Sequence, residues 1–295
     1  MPYSDQLDQR PPFDRFLARA SARALRSTFH PRYPFALDRG PLARELQIPD
    51  PANPFGHEPE LAHLIDRHVP DDGVYLDVGA NGGYFSVYLA VRPGFRGHIH
   101  AFEPVAGTFA VLRKYVSGLG CDGLVTCHQA AASDRIGEAR MDVSNPNSGE
   151  AAIRETGATG EVVRTVTLDS LGLARVDFMK VDVEGHEEQA LAGAKAIIER
   201  HRPFVFFESW LLPDRLDAAL RPMQFLAGKG YNIYLPGWQQ SDGSPFIGIG
   251  AQCQRQTLAL YPIDDFRERR WFPGEAINLF AAPASREGET GTLNA

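Results

Sequence analysis

A chain of 295 residues with 43% hydrophobic and 23% charged residues can bury one large core and has an ordinary globular composition. Its net charge of −7, from 30 basic and 37 acidic side chains, argues against general attraction to a nucleic-acid backbone. Cys121, Cys127 and Cys253 are odd in number and lack metal-ligand spacing, which disfavours a disulfide framework and suits a reducing compartment. No apolar run approaches the roughly 18 residues of a membrane span, and the first residues lack a signal-peptide pattern, so the expectation is a cytoplasmic protein.

Residues 1–57 read as an N-terminal extension, with a helix over 13–29 and a Pro-rich stretch over 30–56. In that helix Phe13, Phe16, Leu17, Ala20 and Ala24 share one face, with Arg15, Arg19, Arg23 and Arg26 on the others. Such a face packs on its own domain or on a partner subunit, which makes the helix a candidate homo-oligomer contact. A basic amphipathic helix lying on a membrane is the alternative. The core, residues 58–209, carries the β-prone run Val74–Val78, which meets Asp77, turns through Gly79, Asn81 and Gly83, and restarts as a helix over 84–91. Glycine permits the tight turn and lets the backbone approach a ligand closely. This strand–turn–helix is how a nucleotide-like cofactor is held at the carboxyl edge of a parallel sheet. A second strand over 97–102 ends in Glu103, where a carboxylate can accept hydrogen bonds from both ribose hydroxyls; Pro104 then stops the ladder. Asp77 is placed to order the turn or to meet a cationic group.

Farther along, Ala131, Ala132 and Ser133 end the expected third strand, where small side chains leave room for an adenine ring. Segments 138–143 and 161–166 alternate like a hairpin around a turn cluster at 145–149. A strand over 176–181 delivers Asp182, Glu184 and His186, a helix follows over 187–199, and an apolar strand over 203–207 is capped by Glu208. Glu103, Asp182 and Glu208 should therefore share one rim. Residues 210–283 form the substrate-side portion, with a flap or strand exit at 211–213, a helix over 214–228, a strand over 231–235 and a last strand over 276–281. Residues 284–295, rich in Gly, Glu and Thr, read as a disordered tail.

The run Asp77-Val-Gly-Ala-Asn-x-Gly, the strand end Phe102-Glu103-Pro104, the segment Thr167-Leu-Asp-Ser-Leu171 and the run Lys180-Val-Asp-Val-Glu-Gly-His-Glu187 together resemble the FkbM family of S-adenosylmethionine-dependent methyltransferases. The likeness covers residues 58–208. It implies an α/β fold of the class I, Rossmann-like methyltransferase type, with a seven-stranded, mostly parallel sheet and helices on both faces over residues 58–283. It also implies S-adenosylmethionine as cofactor, and methylation of oxygen on a small molecule or glycan. On that reading Asp77, Gly79, Asn81, Gly83, Glu103, Pro104, Ala132, Ser133 and Asp182 hold the cofactor, while His186 and Asp182 serve catalysis. His186 is the candidate base because imidazole titrates near neutrality. Asp182, Glu184 and Glu208 could alternatively gather a divalent cation, a variant not favoured here.

A nicotinamide-dependent dehydrogenase is a competing reading of the glycine turn and Glu103. The short-chain type needs Tyr-x-x-x-Lys, yet Ala110, Val176, Leu191 and Phe225 stand four residues before Lys114, Lys180, Lys195 and Lys229. A non-catalytic scaffold subunit that retains the fold is the other.

Overall fold

The structure, a computed structural model, describes residues 10–28, 58–142, 152–154, 160–211, 216–239, 242–247, 257–274 and 276–293. The Pro-rich stretch over 30–56 and the turn cluster at 145–149 lie outside these residues, as does the expected flap apart from Leu211. Helices are α1 (Arg10–Ser21), α2 (Pro59–His68), α3 (Tyr84–Ala90), α4 (Ala106–Gly118), α5 (Glu187–Ala192), α6 (Lys195–His201) and α7 (Leu216–Gly228). The strands of the main sheet are β1 (Leu25–Thr28), β2 (Val74–Val78), β3 (His98–Phe102), β4 (Val125–His128), β9 (Phe178–Val181), β10 (Phe204–Trp210), β11 (Tyr231–Gln239), β12 (Pro245–Phe246), β13 (Thr257–Pro262), β14 (Ala276–Pro283) and β15 (Thr292–Leu293). A second sheet holds β5 (Ala131–Ala132), β6 (Gly137–Asp142), β7 (Ala152–Arg154) and β8 (Glu161–Val166).

The main sheet runs β15-β1-β13-β11-β14-β10-β9-β2-β3-β4, with β12 paired to β11. From β10 to β4 every neighbour is parallel, and the pairings from β10 through β14 and β11 to β15 are antiparallel. Among the described residues the expected seven-stranded, mostly parallel sheet is therefore an eleven-stranded mixed one, because chain from both ends adds strands beyond β11. Strands β2, β9 and β10 are nearly continuous apolar runs, as befits strands covered on both faces. One face carries a core with Leu61, Tyr88, Leu112, Phe178 and Phe280 beneath α2, α3 and α4. The other carries Phe16, Leu76, Leu191, Ile198, Phe207 and Met223 beneath α1, α5, α6 and α7. Among the described residues no helix is long and apolar enough to cross a membrane.

Several expectations need correction. The N-terminal helix stops at Ser21 rather than near residue 29, since Arg26 donates to the carbonyls of Ser21 and Ala24 and the next residues pair with β13. Its apolar face is occupied within the chain: Phe16 lies 4.7 Å from Phe272, ring to ring, and Arg19 and Arg23 pair with Glu268 and Asp264. The proposed oligomer contact loses that face. Residues 284–295 are not a loose tail as far as residue 293, because a 3-10 turn over Ala284–Glu289 leads into β15, which pairs with Leu25 and Arg26. The third parallel strand ends at His128, and Ala131–Ala132 pairs instead with β8 in the second sheet. The hairpin expected over 138–166 is present as β6 against β8.

The helix expected over 187–199 is broken into α5 and α6 at Gly193. A Cβ there would sit 1.9 Å from the carbonyl oxygen of Ser133, so the chain passes only with no side chain. Gly193→Ala should therefore cost about 1–3 kcal/mol. Gly107→Ala, in α4 with nothing within 4 Å, should be neutral or stabilise by up to about 1 kcal/mol. Urea titration of the two variants checks the contrast.

Candidate active site

The end of β2 is the centre of the site. Val78 pairs with Phe102 of β3 on one side and Val181 of β9 on the other, so Glu103 and Asp182 emerge as its two flanks. Between them Gly79 turns with φ 79°, and a Cβ on it would lie 1.7 Å from the carbonyl oxygen of Asp182. Only glycine fits there, for steric and conformational reasons alike. Asn81 (φ 50°) and Gly83 (φ 88°) complete the left-handed corners, and Leu112 fills the space where a side chain on Gly83 would go. The N–H groups of Gly79 and Ala80 donate to the Phe102 carbonyl at 3.1 and 2.8 Å, and that of Asn81 donates to the Glu103 carboxylate. The turn thus offers a ligand shape more than donors, a departure from the N–H cradle expected of it.

Asp77 lies beneath the turn, 1% exposed. Ser86 donates to its Oδ2 at 2.6 Å, and Oδ1 takes no hydrogen bond. Burial pushes its pKa up, against the pull of Lys180 and Ser86. Lys180, which the sequence reading passed over, ties the site together. Its ammonium donates to the Gly79 carbonyl at 2.8 Å, contacts Asp182 at 3.0 Å and lies 3.8 Å from Asp77. Burial disfavours its charge, but Asp182, Asp77 and Glu58 outweigh that and hold its pKa above the ordinary value. The available signal was one lysine inside an otherwise apolar strand.

Glu103 is 7% exposed and accepts from the Val105 N–H at 2.9 Å, just past Pro104, which turns the chain into α4. Burial lifts its pKa to about 7 despite the backbone donors. Opposite, Glu184 (φ 54°) and Gly185 (φ 91°) form the β9–α5 turn, closed by Glu187 accepting from the N–H groups of Val183 and Gly185. His186 precedes α5, its Nε2 3.0 Å from Ser133 Oγ. Ser133 donates its N–H to the Val166 carbonyl, and Ala132 is buried in the core. Glu208, on β10, takes a hydrogen bond from the Trp210 indole at 2.5 Å. The carboxylate oxygens of Asp182, Glu184 and Glu208 converge, all within 4.8 Å of one another.

Two further residues reach the site from distant sequence. Glu58, immediately before α2, accepts from Asn278 Nδ2 at 2.5 Å, and Asn278 sits across from Glu208 in the β10–β14 pair. No local pattern marks either residue.

Acids outnumber cations here, and burial makes that costly. Burial, then neighbouring carboxylates, lifts Glu208 to about 9 and Glu60 to about 8; Glu187 rises to about 7, chiefly by burial. These raised groups keep protons in the folded chain that the unfolded chain has already released above its ordinary value of 4.5. Their stabilisation is full below that value and is lost as pH rises through 7 to 9. The thermal midpoint of the ligand-free protein should therefore fall from pH 7 to pH 9, and Glu208→Gln should flatten the fall, as read by scanning calorimetry.

No curated protein matches the sequence. Among solved structures, the chain resembles a methyltransferase FkbM from Methylobacillus flagellatus at 16% identity and a TM-score of 0.42. That match covers 65% of this chain but only 44% of the other, so the chain spans less than half the length of that protein. An O-methyltransferase from Bacillus cereus in complex with SAH aligns at 12% identity over 77% of this chain and 93% of that one, with a TM-score of 0.42. A SAM-dependent O-methyltransferase from Thermotoga maritima aligns at 13% identity over 76% and 63%, with a TM-score of 0.39. A model of the methyltransferase FkbM domain matches residues 77–233, more than half of the sequence and the whole stretch from Asp77 through β10. The chain belongs to the methyltransferase FkbM domain family.

Proposed function

We propose that this family member transfers a methyl group from S-adenosylmethionine to a hydroxyl oxygen of a small molecule or glycan. The observation that carries the reading is the pairing of β2 with β3 and β9, which sets Glu103 and Asp182 on either side of a glycine turn with no room for a side chain. The residues fit the donor on their own chemistry. Glu103 offers a carboxylate, 7% exposed, to ribose hydroxyls, and Asp77 Oδ1, 3.8 Å from the Lys180 ammonium, is a buried acceptor that takes no hydrogen bond. When bound, the sulfonium supplies an electrophilic methyl carbon.

The chain's part is to align and to take a proton. Alignment is the larger share, since well-oriented reactants reach effective molarities of ~10⁵–10⁸ M. Asp182, fixed by Lys180, orients the donor or the acceptor hydroxyl. His186 receives the hydroxyl proton, its ring held by Ser133, which adds ~10²–10⁴-fold. The carboxylates of Asp182, Glu184 and Glu208 are balanced here by Lys180, the Trp210 indole and the proton retained on Glu208.

Three measurements check this reading. Calorimetry should show binding of S-adenosylmethionine or its demethylated product in preference to NAD, with Glu103→Ala weakening it by about tenfold or more. Preference for NAD would overturn the assignment, and binding with no turnover on any acceptor would favour a scaffold subunit. His186→Ala should keep product affinity and lose about 10²-fold or more in kcat; unchanged turnover would remove His186 from the mechanism. Activity should survive exhaustive chelation; loss that Mg²⁺ or Mn²⁺ restores would reassign the three carboxylates to a metal.

A further inference from the structure

Glu58 and Glu60 enter the site from outside the segment that defines the family. Glu58 holds a left-handed conformation, φ 43°, immediately before α2, and Glu60 lies in the first turn of that helix. Asn278, opposite Glu208 in the β10–β14 pair, donates to Glu58, so this end of α2 lies beside the rim, and the charge of Glu58 is felt by Lys180 and Tyr84. Asn278 closes the other side by donating to Glu58, and its amide also faces Glu60. Oε2 of Glu60 is shut off from solvent and takes no hydrogen bond, and so is Oδ1 of Asp77 beside Lys180.

Such an arrangement selects its ligand chemically. Two neighbouring half-buried carboxyls, one with a sealed and unused acceptor oxygen, repel an anion, and a neutral hydroxyl satisfies one oxygen without offsetting the second charge. A primary ammonium brings three N–H donors and a positive charge in one small group. Without it Glu60 is held protonated up to about 8, by burial and then by Glu58. The methyl donor carries one such group, at the end of its methionyl arm.

We infer that Glu58, Glu60 and Asn278 form the pocket for the α-ammonium group of the donor's methionyl arm. The inference rests on the donor reading above and gives a positioning task to residues beyond the span 77–233. Anchoring the arm at α2 while Glu103 anchors the ribose fixes the donor at both ends, which places the methyl carbon between them.

The test is titration calorimetry on the full chain with two ligands. S-Adenosylhomocysteine has the amino-acid arm, and 5′-methylthioadenosine lacks it while keeping the adenosine and the sulfur. Glu60→Gln should weaken S-adenosylhomocysteine by about tenfold or more and leave 5′-methylthioadenosine within about twofold. Glu58→Gln should behave alike. Both replacements keep side-chain shape, so thermal midpoints close to that of the parent should confirm folding. Equal losses for the two ligands, or no loss for S-adenosylhomocysteine, would overturn the pocket while the parent's own binding keeps the donor reading intact. A parent chain that binds neither ligand would sink both.

Discussion

One buried ammonium group organises this protein. Lys180 sits in the middle of the parallel sheet and joins the turn after β2 to the turn after β9 through Gly79 and Asp182, with Asp77 beneath. A lysine so enclosed is tolerated only when carboxylates surround it, and the carboxylates are tolerated in turn because of it. Removing either partner from such a pair typically costs about 3–5 kcal/mol. The contact between Gly79 and the Asp182 carbonyl depends on the same tie. The rim where a ligand would sit is thus held by electrostatics from below, while packing supplies the frame.

The tie does not neutralise the site. Glu58, Glu60, Glu103, Glu187 and Glu208 crowd around it, and four of these carry raised pKa values because burial and mutual repulsion disfavour their ionised forms. A rim with this surplus of acid is stabilised by whatever positive charge settles on it. That bias matches a donor bearing a sulfonium and an ammonium, and it would disfavour a nicotinamide dinucleotide with its two phosphates.

The parallel half of the fold was legible because its strands are short apolar runs next to acids: Val74–Val78, His98–Phe102 and Phe178–Val181 stand where the pattern put them, while the fourth, expected to stop before Glu208, runs through it to Trp210. Glu103, Asp182 and Glu208 followed from that order. What escaped was set by distant chain. Gly193 breaks a helix whose periodicity looks continuous, because Ser133 passes against it. Residues 25–28 leave the helical pattern for a strand because β13 and β15 are there to pair with. Ala131–Ala132 sits in the second sheet because β8 returns alongside it. Lys180 was visible but was passed over, since a lone lysine in an apolar strand becomes meaningful only once its three partners are known. Glu58 and Asn278 meet across more than two hundred residues, and no local rule links them.

The position of β1 between β13 and β15 changes where the functional unit begins and ends. Residues 10–28 had looked like a separable appendage, yet α1 seals Phe272 and β1 supplies the ladder that β13 would otherwise lack. A fragment trimmed to residues 77–233 would lose β13 and β14, bare the flank of β10 and strip the wall that carries Asn278. Such a piece would present unsatisfied backbone and apolar rings to its neighbours, the surface from which strand-to-strand aggregation starts. Expression boundaries should therefore enclose both flanking segments, since each half of the molecule is fastened by sequence belonging to the other.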